Sequence, residues 1–328
     1  DGAVALVEKH SRELAAILIE PMMGTGGAIP AEVEFLRALR EAGANKSPGR
    51  PWSPARGYFV ILLWPVLFLA LFFVWPMATV VARSFAGNGP LFAHYLTIFE
   101  RASYIKVLLY TLEVATTVTV LCLLIAYPVA ALVARLRGGW LQLCFALILV
   151  PFWTSTVIRT YAWMVLFQRK GVINSLLLDL ELVDKPLRLM HNNIGVHIGM
   201  VHIMLPFMLF PLISGLRGID PAYMRAAGVL GANPVRAFWH VYLPLSMPGV
   251  SAGVALVFIT SLGFFITPAL LGGARNMMMA VLIEQQVSVT VNWELASALA
   301  SLLLMVTAAL YIAYDWLSRR AGGGGVLD

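Results

Sequence analysis

From residue 58 onward, long apolar stretches alternate along the chain with shorter polar segments. An α-helix needs about 20 apolar residues to cross the hydrocarbon core of a bilayer, and each stretch is at least that long. The pattern therefore predicts an all-α, polytopic membrane protein with six transmembrane helices in a domain of residues 58–320, followed by a short tail, 321–328. The six predicted spans are 58–82, 107–134, 140–167, 194–216, 248–271 and 293–317.

The composition supports a membrane protein and excludes several other classes. Of the 328 residues, 60% are hydrophobic and 12% are charged, which is far from the balance of a soluble domain. The net charge of +6 comes from basic residues scattered between apolar runs, so no nucleic-acid-binding stripe is predicted. Cys122 and Cys144 lie inside apolar runs without nearby ligand partners, so we expect neither a metal site nor a cofactor.

The segment before the first span differs in character. Its pattern predicts a buried strand over Ala15–Ile19, a loop over Gly24–Pro30 and an amphipathic helix over Glu32–Glu41. A strand ending in Glu-Pro, a Gly-rich loop and a helix resemble the middle of class III pyridoxal-phosphate aminotransferases. The resemblance ends before the positions of that family's cofactor aspartate and Schiff-base lysine, so it implies no aminotransferase activity. Residues 1–46 are interpreted as a fragment of this kind and 47–57 as a Pro-rich linker.

A polar interruption, YMRAAGVLGANPVRAFWHVYLP at 223–244, separates the fourth and fifth spans. Asp220 followed by Pro221 predicts a helix start, and Gly231 predicts its left-handed end. Asn233 and the proline after it predict a second helix that runs to Pro244.

This helix, turn and helix can serve two purposes. Ala226 and Ala227 would give a smooth helical surface that a partner protein can approach closely. Alternatively, the segment lies on the membrane with Phe238 and Trp239 at the interface and its arginines near lipid headgroups.

The spacing within the interruption resembles the loop E-A-A-x3-G-x9-I-x-L-P of binding-protein-dependent (MetI-like) ABC transporter permeases. Arg225 replaces the glutamate and Val241 replaces the isoleucine, while the other positions match. The matching set, interpreted as an ATPase-coupling loop, is Arg225, Ala226, Ala227, Gly231, Val241, Leu243 and Pro244.

The resemblance implies a permease subunit of an ATP-driven importer in a bacterial inner membrane. Its implied partners are cytoplasmic ATP-binding subunits, a second permease subunit and an extracytoplasmic substrate-binding protein. The chain lacks a G-x4-G-K-[ST] phosphate loop, because GTGG at 24–27 has no lysine after it, so we expect no enzymatic activity in the chain and ATP hydrolysis in a partner. Lysine and arginine counts near the span ends favour cytoplasmic positions for both termini.

Residues 150–174 resemble the third-span region of the polyamine (spermidine/putrescine) branch of these permeases. Ionisable groups at membrane depth are costly and indicate function, and aromatic faces attract cations. The candidate substrate pathway consists of Glu113, Arg159, Tyr161, Trp163, Trp293 and Glu294.

Several alternatives remain for these residues and for the protein class. The aromatic residues can be interfacial anchors, and Glu113 can pair with Arg159. His191, His197 and His202 are interpreted as polar cavity or interface residues rather than metal ligands. Related permeases carry iron, sulfate, phosphonates or amino acids. A secondary transporter driven by an ion gradient is the alternative class, although such folds often show internal repeats and the 218–244 pattern occurs once.

Overall fold

The computed structural model describes residues 22–23, 29–30, 63–86, 90, 92–273 and 276–322. The chain divides into two compact units, residues 1–74 and 75–328. In the first unit, strand β1 (Met22–Met23) pairs antiparallel with strand β2 (Ile29–Pro30). The end of the predicted loop Gly24–Pro30 is therefore a strand, which corrects that prediction. The predicted strand Ala15–Ile19, helix Glu32–Glu41 and linker 47–57 lie outside the described residues.

The remainder of the described chain is helical, as the sequence predicts. The helices in chain order are α1 (Leu63–Arg83, with a π-helical turn at Ala70–Val74), α2 (Ala93–Glu100), α3 (Ala102–Arg135), α4 (Gly139–Trp153), α5 (Thr156–Phe167), α6 (Val172–Asp179), α7 (Asn193–Arg217), α8 (Pro221–Val229), α9 (Pro234–Leu262, with a π-helical turn at Phe238–Tyr242), α10 (Ile266–Leu271), α11 (Met279–Ser288) and α12 (Trp293–Gly322).

Five helices in the described part of the chain are long and apolar enough to cross a membrane: α1, α3, α7, α9 and α12. A sixth span results if the bent pair Gly139–Trp153 and Thr156–Asp179 is counted as one. The first, second, fourth and sixth predicted spans are confirmed as single helices, with residues 58–62 of the first lying outside the described part.

The third predicted span, 140–167, is not one helix. It bends by 91° between α4 and α5. Thr154 and Ser155 adopt extended backbone conformations there, with ψ of 141° and 133°. Pro151 removes a backbone donor nearby, and the Thr154 hydroxyl donates to the Pro151 carbonyl at 2.7 Å. The Thr154 hydroxyl therefore provides a donor for one backbone carbonyl at the break. A helix break inside a bilayer needs such internal partners, because no water is available there.

The fifth predicted span, 248–271, is also wrong in its bounds. Helix α9 begins at Pro234, passes through Pro244 and Pro248, and ends at Leu262 before Gly263. The second short helix predicted to stop at Pro244 is thus the base of the fifth span. The Leu243 amide donates to the Phe238 carbonyl, five residues back, and this wider turn accommodates the proline that follows.

The core of the second unit lies among α3, α7 and α9, which pack against one another. Glycines allow α7 and α9 to approach closely. A Cβ atom on Gly249 would stand 2.9 Å from the Pro211 carbonyl oxygen and 3.2 Å from the Gly215 Cα. Small residues at membrane helix contacts act in this way, because without side chains between them the backbones can touch.

Candidate functional site

The two helix starts and the glycine turn between α7 and α9 form as the sequence predicts, although the second helix does not stop at Pro244. The Asp220 carboxylate accepts from the Ala222 amide at 2.7 Å, and the Asn233 side chain accepts from the Arg236 amide at 2.7 Å. Each side chain thereby caps the first turn of a helix that has proline in its first position.

The turn that ends α8 is centred on Gly231, whose φ is +83°. The Gly231 amide donates to the Gly228 carbonyl and the Ala232 amide donates to the Ala227 carbonyl, both at 3.0 Å. This pair of bonds is a Schellman motif, which requires a left-handed residue and so favours glycine. The prediction for Gly231 is confirmed.

The tip of this loop is apolar and unusually open. Val229 and Leu230 are each 87% exposed beside the Schellman turn. Arg225 and Ala226 are also exposed on α8. The loop therefore projects a small apolar surface with a fixed backbone.

The surroundings of Ala227 differ from the exposed position that we expect for a residue that docks on a partner. It is only 8% exposed, and Ala237 on α9 is buried as well. Helix α8 contacts the beginning of α9, so these small side chains allow the two helices of the loop to pack. The small size of Ala227 thus serves contacts within the chain, whereas Ala226 faces outward.

The base of the loop is attached to the core through aromatic and polar contacts. Phe238 meets Tyr127 of α3 edge to face, with ring centroids 6.1 Å apart. The Tyr127 hydroxyl lies 3.0 Å from the Ser246 hydroxyl on α9. Val241 and Leu243 are half-buried in this region, and Pro244 is exposed. The loop is consequently continuous with the membrane bundle through α9.

Two pathway candidates, Arg159 and Trp163, lie one turn apart on α5 and join a cluster with α7. The Trp163 indole nitrogen donates to Nδ1 of His202 at 3.2 Å, and the Trp163 ring packs on Phe167 at 4.9 Å. His202 also lies within electrostatic reach of Arg159. The Arg159 Nη2 donates to the Thr156 hydroxyl at 3.3 Å, whereas its Nε and Nη1 atoms are buried without a partner.

The other candidates do not join this cluster in the part of the chain that the structure describes. Glu113 is exposed on α3 and forms no ion pair with Arg159, so the alternative in which the two neutralise each other is not observed within this chain. Tyr161 has half its surface exposed. Trp293 is exposed, and Glu294 is half-buried in the first turn of α12.

The three histidines take part in hydrogen bonds with neighbouring helices or backbone. His191 Nδ1 lies 3.2 Å from the Gly272 carbonyl, and His197 Nδ1 lies 2.7 Å from the Asn193 carbonyl. Within the described residues, no group of three or more His, Cys, Asp or Glu side chains could hold a metal ion.

One polar network was missed by sequence reasoning. The Tyr110 hydroxyl donates to Asn193 at 2.8 Å and accepts from Asn276 at 3.4 Å, so it joins α3, α7 and the segment before α11. A buried hydroxyl pair at 3.1 Å, between Thr160 and Thr267, likewise joins α5 to α10. Single polar residues beside apolar runs gave no sequence signal for these contacts.

Comparison with known proteins gives a consistent picture. Residues 126–323 match the family described as binding-protein-dependent transport system inner membrane component. The spermidine/putrescine transport system permease protein PotB of Haemophilus influenzae is 33% identical over 262 residues, which are 78% of this chain and 90% of that protein. PotB of Escherichia coli is 36% identical over 217 residues, which are 66% of this chain and 78% of that protein.

The fold has solved counterparts. A bacterial alginate ABC transporter, crystallised with an alginate pentasaccharide-bound periplasmic protein, contains a chain that superposes with a TM-score of 0.68 at 17% identity. The match covers 84% of this chain and all of that chain, and it supports the fold alone. These findings favour an importer permease over an ion-gradient-driven transporter. The chain belongs to the family of inner membrane components of binding-protein-dependent transport systems, as the spacing of residues 225–244 predicts.

Proposed function

We propose that this permease carries a cationic polyamine across the inner membrane, with ATP hydrolysed in separate cytoplasmic subunits. The observation that carries the cargo is the similarity to two permeases whose names specify spermidine and putrescine, over 78% and 66% of this chain. A second permease subunit completes the pathway, and a substrate-binding protein delivers the cargo from outside.

The ATP-binding subunit docks on the coupling loop, residues 218–244. Its apolar tip at Val229 and Leu230 suits a cleft on a soluble partner, because burying these two side chains removes apolar surface from water. The Schellman turn at Gly231 fixes the tip before binding, which reduces the ordering entropy of association. Ala226 lies on the exposed side of α8, where a close approach needs a small residue.

Orientation follows from the docking proposal. A loop between the fourth and fifth of six spans lies on the same side of the membrane as both termini. If the ATP-binding subunits bind this loop from the cytoplasm, both termini are cytoplasmic. The excess of basic residues on these flanks agrees with this orientation.

Glu113 is the carboxylate that we assign to cargo recognition. It is exposed on α3 and has no cationic partner among the described residues, so it is available to a protonated amine. Arg159, Tyr161, Trp163, Trp293 and Glu294 complete the proposed pathway, with the aromatic faces offering cation–π contacts.

Uptake by the reconstituted importer tests this proposal. Labelled spermidine uptake should be inhibited by putrescine and not by phosphonates or neutral amino acids. Glu113→Gln should raise the KM for spermidine roughly tenfold, because a charge-assisted hydrogen bond is lost, while co-purification of the ATP-binding subunit stays normal. Glu100→Gln, at another exposed carboxylate, is the matched control and should leave the KM unchanged. Transport of anions or neutral solutes alone would contradict the cargo assignment.

A further inference from the structure

Arg159 carries a charge that nothing in the described part of the chain compensates. Its Nη2 atom donates to Thr156 through a long bond of 3.3 Å, and its Nε and Nη1 atoms are enclosed without an acceptor. A guanidinium stays protonated, so the positive charge persists. An enclosed charge without a partner destabilises a protein strongly and is retained only where it has a use.

No carboxylate among the residues that the structure describes pairs with Arg159. His202 is a titratable neighbour of Arg159, and its Nδ1 accepts from the Trp163 indole. A ring nitrogen that accepts carries no proton, so the ring is neutral with its proton on Nε2. Arg159 also lies in the first turns of α5, where the partial charge of the helix end is positive. The cluster is therefore a centre of net positive potential.

The enclosure of Arg159 determines what this charge can do. A carboxylate from another subunit or from a cargo could approach the guanidinium only at Nη2, which already donates to Thr156, because the chain itself covers the Nε and Nη1 atoms. An electrostatic effect needs no contact, since the interaction between charges falls only with the inverse of distance and is strong where the permittivity is low. The geometry thus favours a long-range action on mobile ions over a binding role.

We propose that Arg159 is an electrostatic barrier that prevents passive entry of cations through the resting permease. The inference rests on the proposed function in one respect, namely that the pathway passes beside α5. An importer of polycations faces a membrane potential that pulls its cargo inward without ATP. A fixed positive charge beside the pathway opposes this leak, as arginine does in pores that exclude cations.

Passive flux into proteoliposomes tests the barrier. The complete importer is reconstituted without ATP and without substrate-binding protein, and a potassium diffusion potential makes the interior negative. Entry of labelled putrescine and of mannitol is measured. Arg159→Met should raise putrescine entry by roughly tenfold or more, because both positive charges of putrescine are then no longer repelled by the arginine. Mannitol is uncharged, so its entry should stay unchanged. Arg159→Lys keeps the charge and should remain within about twofold of the parent protein.

Arg169→Met is the control, because it removes an exposed arginine just beyond the end of α5, and it should behave as the parent protein. If Arg159→Met does not assemble, Arg159→Gln replaces it. Three results would overturn the barrier: unchanged putrescine entry in the neutral variant, equal increases for putrescine and mannitol, or a lysine variant that leaks as much as the neutral one. ATP-driven uptake by the parent protein decides the cargo separately, so a failed polyamine assignment and a failed barrier give different results.

Discussion

At the scale of the single residue, Gly228 and Gly231 show how position decides what a glycine does. Both lie near the tip of the coupling loop, and a Cβ atom on either would meet nothing within 4 Å. Only Gly231 has a positive φ, +83°. The requirement for glycine at 231 therefore comes from backbone conformation, whereas Gly228 lies in a helix where alanine is the better residue.

We expect Gly231→Val to disrupt coupling and Gly228→Ala to preserve it. A β-branched residue in the left-handed region is disfavoured by roughly 1–2 kcal/mol, so the valine variant should lose the turn that positions Val229 and Leu230. Co-purification of the ATP-binding subunit and ATP-driven uptake are measured for both variants. A valine variant that retains both co-purification and uptake would contradict the role of the turn. A loop that only lies on the membrane surface predicts this unchanged result.

The helix caps and the turn of the loop were predictable from sequence because their chemistry is local. Asp220, Asn233 and Gly231 each act on backbone groups within a few residues. Ala227 was not predictable in the same way. Which of two adjacent alanines turns inward depends on how α8 packs on α9, and both fit the motif equally well.

At the scale of the element, the contact between α7 and α9 depends on the absence of side chains. Gly249→Ala should push the two helices apart, because its Cβ would meet the Pro211 carbonyl oxygen at 2.9 Å. We expect a loss of about 1–3 kcal/mol in stability, measured as a lower thermal unfolding temperature in detergent. Gly263→Ala, where the added atom meets nothing within 4 Å, is the control and should change little. Equal unfolding temperatures for the two variants would contradict the close contact.

The span boundaries show where hydropathy fails. Apolar composition located all the spans, but it carries no information on backbone direction, so the 91° bend at Thr154 and Ser155 was hidden in a continuous apolar run. The passage of α9 through Pro244 was missed for the opposite reason. Proline is a reliable helix stop in water, whereas a π-helical turn and neighbouring helices accommodate it in a membrane bundle.

At the scale of the whole molecule, the N-terminal region stays a prediction. Residues 1–46 carry no complete fold by sequence, and we propose that transport does not need them. Deletion of 1–46 should leave membrane insertion normal and ATP-driven uptake near the level of the parent protein. Both are measured by fractionation and labelled uptake. Normal insertion with lost uptake would show that the region takes part in transport.

The two prolines at the base of α9 have a mechanical consequence. Pro244 and Pro248 are four residues apart, so they lie on one face of the helix, and each removes a backbone hydrogen bond there. A helix that lacks hydrogen bonds along one face bends most easily in one plane. A tilt of the coupling loop would then rotate the rest of α9, from Gly249 to Leu262, about one axis. At the contact of Gly249 with α7, no side chain stands between the two helices, so none would obstruct this rotation.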